Sequence, residues 1–132
     1  MKIYVASHDR RAACHAASIL ESVGFAIVSM WHEKEFRPTE GHTETERVEI
    51  AEEDLADVTR ANALVLIAGP DKYSGGKFVE AGIAIGQGKP VVVIGRRENM
   101  LLWLPQVRMV STPEDAAALL HALDNQNEAG HG

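Results

Sequence analysis

Tyr73-Ser-Gly-Gly-Lys-Phe-Val-Glu-Ala-Gly-Ile-Ala-Ile-Gly-Gln-Gly-Lys-Pro90, running into Val91-Val-Val-Ile94, is the stretch that decides the fold. Two glycines, Gly75 and Gly76, open a helix, and Gly88-Lys-Pro90 closes it. The apolar run that follows reads as a strand covered on both faces. Paired glycines at a strand-to-helix turn let backbone N–H groups approach a ligand, and a helix start favours an anion. Glu80 places one carboxylate a turn further on, in a segment that is otherwise apolar from Phe78 to Ile85.

The same alternation extends outward. Lys2–Ser7 reads as the first strand and Arg10–Val23 as a helix whose Ala13, Ala16, Ile19, Leu20 and Val23 share one face, with Gly24 as its stop. Phe25–Trp31 reads as the second strand, followed by a polar, turn-rich loop from His32 to Thr45. A helix from Glu46 to Arg60 carries Val48, Ala51, Leu55 and Val58 as its inner stripe. Ala63–Gly69 is a third strand, Met100–Leu104 a short apolar segment and Arg108–Ser111 the last strand. A final helix is expected over Pro113–Leu123, capped by Thr112 or Ser111, with a frayed tail from Asp124 to Gly132. Strands alternating with helices predict a single α/β domain, residues 1–123, with a doubly wound five-stranded parallel sheet and right-handed crossovers. Ligands in such sheets bind beyond the carboxyl ends of the strands, where the polar, glycine-rich loops of this chain lie.

Composition narrows the function classes. At 132 residues the chain is one ordinary domain. A net charge of −6, with no basic block interleaved with aromatics, argues against a nucleic acid polymer as partner. The lone Cys14 permits no internal disulfide and reads as a small buried residue. No signal peptide pattern opens the sequence and no apolar run approaches the ~18–20 residues of a membrane span, so a cytoplasmic protein with no membrane partner is expected. The six histidines have no metal-binding spacing, although His8 sits on the expected binding rim. Trp31 and Trp103 read as packing residues.

Lys2-Ile-Tyr-Val-Ala6, Asp54-Leu55, Ala61-Asn-Ala-Leu-Val65 and Gly75-Gly76…Glu80-Ala-Gly82…Gly88-Lys-Pro90 together resemble the nucleoside 2-deoxyribosyltransferase superfamily, over residues 2 to about 112. That superfamily contains transferases that exchange bases between deoxynucleosides and hydrolases that cut 2′-deoxynucleoside 5′-phosphates. In the family the acid/base Asp stands eight residues before a position held here by Asn62, and the nucleophilic Glu eighteen after it; these fall on Asp54 and Glu80. The resemblance implies that Tyr4 lines the sugar pocket and orients the nucleophile. It further implies that Asn99 and Met100 reach into the site of a neighbouring subunit, so that the working unit is a homodimer or higher homo-oligomer. Where the transferases carry an Asp for the sugar 5′-hydroxyl, this chain has Ser74, as the nucleotide hydrolases do at their 5′-phosphate contact. A hydroxyl beside glycine N–H groups suits a phosphate, whereas a carboxylate would repel it. Arg10 matches an arginine that faces the same phosphate, with Arg11 as its competitor; Ser7, His8, Gly75 and Gly76 complete the expected binding set.

The chemistry so implied is N-glycosidic bond hydrolysis in a (2′-deoxy)nucleoside 5′-monophosphate. Glu80 is expected to act ionised, as nucleophile, with Asp54 sharing a proton; no metal or redox cofactor is required. Two other readings stand beside it, a base-exchanging transferase and a non-catalytic nucleotide-binding module. Each residue also has a plain structural reading. Lys77, Glu80, Ala84 and Gln87 would form a solvent stripe. Asp54 would be a surface acid at the edge of its stripe, with Glu53 and Asp57 outward. Tyr4 would be a core aromatic, and Ser74 simple turn chemistry.

Overall fold

The computed structural model describes residues 1–32, 41–69 and 75–130, with only the backbone described for 127–130. Its elements are β1 (Lys2–Ala6), α1 (Arg10–Ser22), β2 (Ala26–Ile27), α2 (Glu44–Arg60), β3 (Ala63–Ile67), α3 (Gly76–Gly86), β4 (Val91–Ile94), a 3₁₀ turn (Met100–Trp103), β5 (Val107–Val110) and α4 (Pro113–Gly130). All five strands are parallel, in the order β2-β1-β3-β4-β5. The doubly wound α/β sheet expected from the sequence is the fold.

Strand alternation divides the interior into two cores. Ile3, Val5, Ala63, Val65, Val92 and Ile94 point to one face and meet Ala13, Ala17 and Leu20 of α1 and Ala116, Ala117 and Leu120 of α4. Tyr4, Ala6, Leu64, Leu66, Val91 and Val93 point to the other and meet Val58 of α2 and Ala81 and Ala84 of α3. Small alanines on the helices against branched residues on the strands allow close approach of the two layers.

Local chemistry sets the ends of the helices. Asp9 caps α1 by accepting from the N–H groups of Arg11 and Ala12. Gly24, at φ +102, ends it with the paired bonds Gly24 N–H to Glu21 and Phe25 N–H to Leu20. Gly88, at φ +74, ends α3 in the same way through Ile85 and Ala84. Thr43 and Glu46 form a reciprocal capping box on α2. Of the two candidate caps for α4, Thr112 supplies the bond, to Asp115 N–H.

Several expectations are corrected. Strand β2 is two residues long instead of spanning Phe25–Trp31, because side chains of the next segment replace its backbone: Ser29 Oγ accepts from Val5 N–H at 3.0 Å and Trp31 Nε1 donates to Val5 C=O at 2.7 Å. The stripe on α2 is buried only at Val58; Val48 and Leu55 are half exposed. Asp57 points inward, buried and paired with Arg60. Helix α4 continues past Leu123 to Gly130, since nothing between Asp124 and Ala129 breaks a helix and the N-terminal ammonium lies 4.0 Å from Asp124. Cys14 is exposed, and His32 is buried. Trp103 is 65% exposed with the Arg97 guanidinium 4.3 Å above its ring, so of the two tryptophans only Trp31 packs inside. Among the described residues no helix is long and apolar enough to cross a membrane.

Candidate active site

In the order β2-β1-β3-β4-β5, the chain leaves β1 toward α1 on one face and leaves β3 toward α3 on the other. The loops after these two adjacent strands therefore diverge and open a crevice, the usual ligand position in such sheets. A cleft of about 450 Å³ lies there, lined by Ser7, His8, Asp9, Arg10, Ala12, Ile67, Ala68 and Gly69. Ser7, His8 and Arg10 are thus brought together as the sequence suggests. Arg10, not Arg11, lines the cleft. Its Nε donates to the main-chain oxygen of His32 at 2.6 Å.

Asp9 was missed by sequence reasoning, although an Asp directly before the helix is a legible cap signal. Its carboxylate occupies the N–H groups that open α1, so an anion in the cleft meets Arg10 and not the bare helix end. Helix α3 opens differently. Its N-cap is Gly75, with no side-chain cap, and a Cβ added at Gly75 would meet no atom within 4 Å. Among the described residues, no packing contact imposes glycine there. Gly95 is imposed, with φ +116 and space for a Cβ blocked by Ala68 Cβ at 2.9 Å. This close contact holds the loop after β4 against the wall of the cleft.

Glu80 lies one turn into α3, a helix on the opposite face of the sheet from α1, and outside the lining of the cleft. The solvent-stripe reading of its helix face fails: Lys77 and Ala84 are both buried. Burial pushes the Glu80 carboxyl up to about 8, so in the free protein at neutral pH it holds its proton. This reverses the expected ionised state of Glu80 in the free protein. Lys77, three residues earlier, is turned to Glu98 at 2.9 Å, and Glu98 also lies 3.8 Å from Arg96. That buried pair joins the start of α3 to the loop after β4, a link for which the sequence carries no signal.

Tyr4 is fully buried in the core beneath α2 and α3, and its hydroxyl has no hydrogen-bond partner among the described residues. A buried phenol left this way costs about 1–3 kcal/mol, a cost that an arriving ligand group can relieve. No hydrogen bond joins Tyr4 to Glu80. Asp54 is half-buried on α2, which packs beside α3. Asn99 caps the 3₁₀ turn, accepting from Leu101 N–H at 2.9 Å, and Met100 is 81% exposed. Ser74 lies outside the described residues. The described residues contain no group of three or more His, Cys, Asp or Glu arranged to hold a metal.

Comparison with known proteins gives a consistent pattern. The sequence model of the family described as nucleoside 2-deoxyribosyltransferase matches residues 3–127. No curated protein sequence matches the chain. Among solved structures, a 2-deoxyribosyltransferase from Bacillus psychrosaccharolyticus is similar at TM-score 0.70 and 21% identity, over 89% of this chain and 90% of that one. A conserved protein from Enterococcus faecalis V583 is similar at 0.64 and 17%, over 89% and 95%. The CMP N-glycosidase BcmB of Clostridium botulinum is similar at 0.61 and 13%, over 92% and 99%.

Proposed function

From the premise that this chain belongs to the nucleoside 2-deoxyribosyltransferase family, whose members act on N-glycosidic bonds, we propose that it hydrolyses a (2′-deoxy)nucleoside 5′-monophosphate to free base and (deoxy)ribose 5-phosphate. The observation that carries the phosphate is Arg10. Arg10 lines the cleft at the β1/β3 crevice, and Glu80 is carried by α3, the helix that follows β3 on the opposite face of the sheet from α1. A nucleotide spanning the crevice would set its phosphate on Arg10 and its sugar toward Glu80, with Ser74 and the glycines of the α3 start beside the phosphate. Ser7 and His8 line the same pocket and would bound the sugar phosphate.

The reaction passes through an oxocarbenium-like state, which a carboxylate beneath C1′ stabilises. Glu80 enters protonated and must give its proton to solvent before it attacks. A carboxylate oxygen of Glu80 then bonds to C1′ as the C1′–N bond breaks, and the electron pair leaves with the base, which takes a proton from Asp54. Water attacks C1′ next, gives its proton to Asp54 and releases Glu80. Tyr4 would orient the Glu80 carboxylate through the hydroxyl that has no partner in the free protein.

The similarity to a 2-deoxyribosyltransferase at TM-score 0.70 supports a second reading, in which a base replaces water as acceptor. Product analysis separates the two. Nucleoside 5′-monophosphate alone yields free base and sugar phosphate under our reading. An unphosphorylated deoxynucleoside plus a second base yields an exchanged nucleoside under the other. A nucleotide-binding module without catalysis yields neither.

The working unit we propose is a homodimer, with Asn99 and Met100 completing the site of the second copy. Met100, Leu101, Trp103 and Val79 are each more than half exposed, an apolar surface uncommon on a monomer. Sedimentation analysis should give twice the chain mass, and Met100→Asp with Trp103→Asp should give monomers.

A further inference from the structure

We propose that His32 is a positioning residue for phosphate recognition, acting through its main-chain oxygen to aim Arg10. The inference rests on the nucleotide reading above and adds to it the element that makes Arg10 selective. Arginine has five donors on a planar fork, and their direction is set by whichever one is already engaged. Here Nε is engaged by His32 C=O at 2.6 Å. The two Nη groups therefore remain as an end-on pair, the arrangement that grips two oxygens of one phosphate.

The carbonyl is itself held from three sides. Beyond Ile27 the chain leaves the sheet, and Ser29 and Trp31 bond to both backbone groups of Val5, fixing the segment that leads to His32. The His32 ring is 1% exposed. Its Nε2 lies 3.1 Å from Ser29 Oγ and its Nδ1 lies 3.8 Å from Cys14 Sγ on α1. The Cys14 thiol donates to the same His32 oxygen at 3.4 Å. One assignment of hydrogens uses every contact. Ser29 Oγ accepts from Val5 N–H and donates to Nε2, Nδ1–H points at sulfur, and S–H points at the carbonyl. The ring so pinned also packs edge-on to Trp31, with centroids 5.4 Å apart. A polar side chain this buried and this fully engaged fixes a geometry. What it fixes is the oxygen that orients Arg10.

The test compares binding of ribose 5-phosphate with binding of ribose by calorimetry. Wild type, Arg10→Ala, His32→Phe and the double variant are measured, with Ser29→Ala as a milder break of the same network. Wild type should prefer the phosphorylated sugar, and Arg10→Ala should reduce that preference about 100-fold. His32→Phe keeps an aromatic ring, slightly larger, without the ring-nitrogen contacts and should reduce it about tenfold; Ser29→Ala should reduce it severalfold. In the Arg10→Ala background the His32 substitution should have no further effect on the preference, the mark of action through Arg10 and not of general loosening. If Arg10→Ala loses the preference and both His32→Phe and Ser29→Ala keep it, or if the effects of Arg10 and His32 add independently, the positioning role is wrong while the nucleotide reading stands. If wild type shows no preference for the phosphate, both fail.

Discussion

The two faces of the sheet obey different rules. Beneath α1 and α4 every strand residue facing the helices is apolar and matched by alanines and leucines, and the polar side chains at its margin, Ser29 and His32, are bonded. Beneath α2 and α3 the rules break repeatedly. A phenol has no partner, a carboxyl is buried, a lysine is sealed against Glu98, and apolar residues of both helices face outward. Such departures are expected where a chain gives up stability for a site. The first face fixes Arg10; the second holds the carboxyl that we propose to react.

The sharpest way to break this contrast is pH. Glu80 must ionise to attack, and burial holds its carboxyl at about 8. The kcat/KM for base release should therefore fall about tenfold per pH unit below that value, roughly 100-fold by pH 6. Stability moves the opposite way. The folded form keeps a proton that the unfolded chain, with the ordinary value of 4.5, has already lost, so stability falls as pH rises from 4.5 to 8 and the whole cost is present above 8. Glu80→Gln should stabilise the fold over wild type more at pH 9 than at pH 5, by up to a few kcal/mol, read from thermal melting at the two pH values. A flat difference across that range would remove the buried carboxyl from the account.

Arg10→Ala comes next. It should raise KM for a nucleoside 5′-monophosphate about 10- to 100-fold and hardly alter that for the matching nucleoside. Equal losses on both would mean that Arg10 supports the fold and not the phosphate. Tyr4→Phe should cost about tenfold in kcat and leave the melting temperature equal or higher, because it deletes a hydroxyl that the folded protein leaves unpaired. At the structural end, Gly95→Ala should cost about 2 kcal/mol by thermal melting, through its positive φ and the 2.9 Å approach to Ala68. Thr43→Ala should cost about 1 kcal/mol by thermal melting, through removal of half of the capping box.

Much of this was legible in the sequence for a definite reason. The apolar runs at Ala63–Ile67 and Val91–Ile94, and the glycines ending α1 and α3, are local signals with local causes. Parallel topology and the crevice follow from them. Glu80 stood out because it is the one charged residue in the apolar run Phe78–Ile85. The rest depended on tertiary partners. His32 looks like any loop histidine until α1 closes over it, and Lys77 looks solvated until Glu98 arrives from twenty-one residues away. Trp31 and Ser29 read as strand residues because their spacing suits a strand, yet their side chains end the strand by replacing its backbone bonds. The exposed stripe of α2 carries helical periodicity either way, so periodicity alone cannot say which body covers it.

The central claim is that Glu80 breaks an N-glycosidic bond in a nucleoside 5′-monophosphate. It is tested most directly by incubating wild type and Glu80→Ala with a panel of ribo- and deoxyribonucleoside 5′-monophosphates and detecting free base chromatographically. The account predicts base release by wild type from at least one member and a loss of about a thousandfold or more in Glu80→Ala. Base release at an undiminished rate by Glu80→Ala, or none from any member by wild type, would contradict it.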